Sequence, residues 1–141
     1  RHGLPLTEVR GVIAIGGAYD MVKYHALLAD GLDGQTGLGK KKADAHLEWI
    51  FGESREGWVA ASPATYLKGC AMPMLIVAEK GAAMRRYSQD FEDACRKVEN
   101  KSIRFMYTTD RTHGQSTPMM SRKRPDPVRD AMVSFIFEHV R

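Results

Sequence analysis

Three short apolar runs, each followed by a longer stretch of helical spacing, constrain the fold of this chain more than any other feature. The first, Gly11 to Gly16 (GVIAIG), is continuous and rich in β-branched residues, as a strand buried on both faces should be. Gly16-Gly17 ends it. Pro73 opens the second run, Met74 to Ala78, which is again nearly all apolar. The third, Ile103 to Tyr107, alternates with polar residues, which suits a strand nearer a sheet edge. Strands that alternate with helices imply a parallel sheet joined by right-handed crossovers. The expected class is therefore α/β, a mostly parallel sheet flanked by helices, in one domain spanning residues 1–141.

The helical stretches follow from spacing and end signals. After a loop-rich stretch, Ala43, Leu47, Ile50 and Phe51 fall on one face, and Gly52 suits the position past a helix end. Ser62-Pro63 reads as an N-cap with proline in the first turn, starting a short helix through Leu67. From about Met84 to Val98, the residues Tyr87, Phe91, Ala94, Cys95 and Val98 form one apolar face. The last helix has Asp126 as cap, Pro127 in its first turn, and Val128, Ala131, Met132, Phe135, Ile136 and Val140 as its buried stripe. Asp30 to Lys42 (DGLDGQTGLGKKK) reads as a flexible surface insertion.

Composition excludes several function classes. The hydrophobic fraction of 43% is enough for a core, and no apolar run is long enough to cross a bilayer. No secretory signal is visible, which points to a cytoplasmic protein. The first residue is Arg1 rather than Met, so a preceding segment is expected. The net charge of +4 raises nucleic acid as a partner. However, neither Lys40 to Lys42, in the Gly-rich loop, nor Arg122 to Arg124 carries interleaved aromatics for base stacking. Cys70 and Cys95 have no metal spacing and read as free thiols. No metal or cofactor motif is present.

Functional groups of an open parallel sheet gather at the carboxyl ends of its strands. Three such loops are expected: Gly16 to Asp20, Glu79 to Ala83, and Thr108 to Ser116. The third carries His113 beside Gly114. An imidazole titrating near neutrality can take a proton from a hydroxyl and return it. On position alone an exposed loop histidine without a role is the commoner outcome. His2, His25, His46 and His139 have less informative surroundings.

A resemblance raises the weight of His113. VRGVIAIGGAYD (Val9 to Asp20) resembles the strand and turn that follow the nucleophile elbow in esterase-type α/β-hydrolases. WVAASPATYL (Trp58 to Leu67), MPMLIVAEK (Met72 to Lys80), RRYSQDF (Arg85 to Phe91), RTHGQS (Arg111 to Ser116) and DPVRDAMVSFI (Asp126 to Ile136) resemble later elements of that fold, in the family's order. Carboxylesterases and kynurenine formamidase-like hydrolases are the nearest comparison. The resemblance implies the C-terminal portion of an α/β-hydrolase fold, acting on a small-molecule ester or arylformamide, with His113 as general base.

Two departures accompany it. No G-x-S-x-G and no HGG-type oxyanion segment occurs. Ser62 reads as a cap, Ser88 as a helix residue and Ser116 as part of the histidine loop, so the nucleophile is expected upstream. Gly81 stands where the family's aspartate belongs. Glu79 is the first candidate for the orienting acid and Asp20 the second, while Asp110 reads as a turn residue; loss of the acid is the remaining option. The last option defines the alternative function, a catalytically degenerate hydrolase-like domain that binds a ligand or a protein partner.

Overall fold

The computed structural model describes residues 8–31, 36–122 and 125–139. Its sheet has the order β1 (Val12–Ile15), β2 (Met74–Ala78), β3 (Ile103–Tyr107), and both pairings are parallel. Ile13 lies opposite Leu75, and Leu75 lies opposite Arg104. The two crossovers contain helices, as parallel neighbours require. Helices α1 (Met21–Asp30), α2 (Lys40–Phe51) and α3 (Arg55–Ala61) and a 3-10 helix (Pro63–Gly69) join β1 to β2; α4 (Ala82–Lys97) joins β2 to β3. Helices α5 (His113–Met120) and α6 (Pro127–His139) follow the sheet.

The central strand divides the core by its period of two. Ile76 points to one face, into a cluster with Tyr19, Leu67, Phe91, Cys95 and Ile103. Leu75 and Val77 point to the other, against Val128 and Phe135 of α6. A third cluster, Met21, Leu47 and Trp58, knits α1, α2 and α3 together beside the sheet. Cys70 and Cys95 are free, and burial, with the Glu92 charge second, pushes the Cys95 thiol up to about 11. No described helix is long and apolar enough to cross a membrane.

Several sequence expectations are corrected here. The stretch after Gly17 is not loop-rich, because Asp20 accepts from the Val22 and Lys23 N–H groups and so starts α1. The insertion read over residues 30–42 is largely structured. Asp30 closes α1, the Leu38 and Gly39 N–H groups bond the carbonyls of Leu28 and Ala29, and Lys40 to Lys42 form the first turn of α2. Residues 32–35 of that stretch lie outside the described residues, as do His2, Val140 and two of the three residues in the second basic cluster, Lys123 and Arg124. Ile136, expected in the buried stripe of the last helix, is exposed, as are Ile50 and Val98 on the apolar faces of theirs. For Ile136 the reason is the width of the sheet. Three strands span only about 10 Å, so a flanking helix can bury a narrow stripe, here Val128 and Phe135 with Met132 packed alongside.

Candidate active site

The carboxyl ends of all three strands meet in one small region. Beyond β3 the Thr108 N–H bonds the Ala78 carbonyl at 2.8 Å, and beyond β2 the Lys80 N–H bonds the Arg111 carbonyl at 2.7 Å. These two bonds zip the segment after β3 onto the end of β2. Arg111 then anchors it. Its guanidinium is 1% exposed and makes a bidentate bond to Asp110 through Nε and Nη2, both contacts at 2.9 Å, while Nη1 donates to both oxygens of Asp126 at 2.9 and 3.1 Å. The Asp110 bond, with Asp126 behind it, raises the Arg111 pKa despite burial. Asp126 also accepts from the Val128 and Arg129 N–H groups, as the cap that the sequence predicts for α6. Burial works against its charge, but the Arg129 N–H, Arg111 and the Val128 N–H together hold its carboxyl below the usual range.

On this platform His113 does not sit in a flexible loop, as expected, but opens helix α5. Gln115 Oε1 accepts from the Thr112 N–H at 3.0 Å and from its hydroxyl at 3.2 Å, fixing the first turn. The imidazole therefore has a defined origin. Its Nδ1 lies 3.0 Å from Glu79 Oε1, with the carboxylate fully buried and the ring 64% exposed. An ionised carboxylate can only accept, so in a neutral imidazole paired with one the proton belongs on Nδ1 and the lone pair on Nε2.

Gly16 makes this approach possible. It has φ +61° at the end of β1, and a Cβ there would fall 2.6 Å from His113 Nδ1 and 2.9 Å from Glu79 Oε2. Behind it, Tyr19 is buried and stacked on Phe91 with ring centroids 4.5 Å apart. Burial, reinforced by the Glu79 charge, pushes its phenol up to about 12.

Of the two candidate acids, Glu79 is brought to His113, whereas Asp20 is occupied in capping α1. Asp110, read as a turn residue, is bound to Arg111. Ser62 bridges the Met21 N–H and the Trp58 carbonyl, Ser88 is buried on α4, and Ser116 turns toward Glu79. Among the described residues no hydroxyl bonds His113, and no group of three or more His, Cys, Asp or Glu side chains is arranged to hold a metal ion. Arg111, Gly16 and Tyr19 were not singled out from sequence. Gly16 had a visible signal, a glycine pair closing a strand whose carboxyl end faces the histidine loop.

Scanned against protein-family models the chain matches none, and no relative is found among curated proteins.

Proposed function

We propose that this chain is the C-terminal portion of a serine hydrolase that cleaves carboxylic esters or an arylformamide, with Glu79 and His113 as its acid and base. One observation carries this reading: a fully buried carboxylate bonded at 3.0 Å to Nδ1 of an otherwise exposed imidazole, at the carboxyl end of a parallel sheet. In the reaction, His113 Nε2 takes the proton of an attacking serine as its oxygen bonds the acyl carbonyl carbon. The imidazolium, stabilised by Glu79, then gives that proton to the departing alcohol or amine. Water repeats the sequence on the acyl-serine and frees the acid. The Glu79–His113 contact favours this reading over the degenerate domain suggested by the glycine at position 81.

The serine comes from outside the described residues in this account. β1 has an open edge among them, and the glycine at its carboxyl end lies against the His113 ring. Neighbouring strands run about 4.8 Å apart, so the turn after a strand added beside β1 would stand near the His113 ring. The test uses the full-length gene product. It should hydrolyse p-nitrophenyl acetate or an N-formylarylamine, and a fluorophosphonate should label one serine outside residues 1–141. The 141-residue chain alone should show no turnover above its His113→Ala variant. An adduct on Ser62, Ser88 or Ser116, or a full-length protein that neither turns over nor reacts, would overturn the reading.

A further inference from the structure

Glu79 is bonded asymmetrically. Oε1 lies 3.0 Å from His113 Nδ1 and 3.3 Å from Ser116 Oγ, whereas Oε2 has no hydrogen-bond partner among the described residues. Both donors therefore converge on one oxygen of a fully buried carboxylate. A carboxylate rotates through a broad, roughly two-fold torsion, so a single bond from a solvent-exposed ring would leave its orientation loosely held. Ser116 is 2% exposed and stands one turn into α5 from the histidine, on the helix that the Thr112–Gln115 contacts start. Its hydroxyl is thus carried by the same rigid element as the imidazole.

We infer that Ser116 is a positioning residue for the dyad, a role that rests on reading Glu79 and His113 as acid and base. Its hydroxyl donates to Glu79 Oε1 and fixes the carboxylate's rotation, so that the acid presents its acceptor to Nδ1–H and holds His113 in the tautomer with Nε2 free. The ordinary alternative for a helical serine is a bond back to the carbonyl four residues earlier, and Ser116 Oγ also lies 3.3 Å from the Thr112 carbonyl. A serine serving only the backbone would steady the helix without acting on the imidazole.

The tautomer separates the two roles. ¹⁵N NMR of the His113 ring, at a pH where it is neutral, gives the ratio of the Nδ1–H to the Nε2–H form in the chain as it stands. The Nδ1–H form should dominate in the native chain. Ser116→Ala should lower the ratio about three- to tenfold, the size of one ordinary hydrogen bond, because only part of the bond to the carboxylate is felt at the imidazole. Ser116→Cys keeps the volume but is a weak donor, so it should do the same. An unchanged ratio in Ser116→Ala, or a fall in Ser116→Ala that Ser116→Cys does not share, overturns the inference by leaving only a backbone or packing role. Glu79→Gln tests the underlying reading separately. It should shift the tautomer whatever Ser116 does, and a ratio indifferent to Glu79 would sink the dyad itself.

Discussion

His113 and His25 each contact a carboxylate, at 3.0 Å to Glu79 and 2.7 Å to Asp44, and the shorter contact joins two helices. His25 on α1 reaches Asp44 on α2 through Nε2, with its ring 5.1 Å from that of Trp58 and only 17% of its side chain exposed. Asp44 is shared with Lys40 at 2.6 Å, and that bond, ahead of the smaller contribution from His25, holds its carboxyl below the usual range. Here the outer nitrogen of the ring is used up in joining two helices. At His113 the relation is inverted: the acid is buried, the ring is exposed, and the bond uses Nδ1. What distinguishes the two histidines is which nitrogen is tied and which member of the pair is buried.

Changes at the platform under His113 should be the most damaging. Arg111→Met leaves Asp126 buried without its cation and should cost about 3–5 kcal/mol in urea unfolding. A loss below about 1 kcal/mol would mean that the histidine segment is held by something other than Arg111. Gly16→Ala forces a side chain into the left-handed region and against the dyad. It should cost about 1–2 kcal/mol and displace the imidazole, which a chemical-shift change at His113 would report. A Gly16→Ala chain with an unmoved His113 resonance would contradict the close approach.

Acid separates the carboxylates more gently. The folded pKa of Asp126 is depressed, so its contribution to stability is fully present above the unfolded value of about 3.9 and is lost as pH falls through the folded value. Unfolding followed below about pH 4 should therefore show a steeper loss in the native chain than in Asp126→Asn. Parallel curves would remove Asp126 from the platform. The smallest effect is expected at the His25 contact, where Asp44→Asn should lower the melting temperature slightly and less so in high salt, because the Lys40 pairing is exposed to screening.

The strands were legible as short apolar runs, continuous at β1 and β2 and alternating at β3. Only β2 is largely buried, however, and β1, expected to be buried on both faces, is half-buried at the edge of the described sheet. The terminal helix was legible from its cap, its proline and its spacing, although the narrow sheet left Ile136 uncovered. Helices α1, α3 and α5 were not recognised. They are short, and their start signals, Asp20, Ser54 and Thr112 with Gln115, lay in stretches dense with glycine or proline. Asp20 shows the cost of such an error: the same carboxylate can be a cap or a catalytic acid, and only its bonds to Val22 and Lys23 decide. Glu79 could be nominated from its place at a strand end. Its contact with His113, 34 residues on in sequence, is set by the sheet and could not be read locally. Arg111 had no local signature, since a buried guanidinium and a solvated one look alike until their partners fold around them.

The most direct test of the account compares the two histidines in the full-length gene product. His113→Ala should lower kcat/KM for p-nitrophenyl acetate by about 10⁴-fold with the fold intact. His25→Ala should change it by no more than about twofold. Equal losses in the two variants, or a loss confined to His25→Ala, would contradict the assignment of His113 as the base.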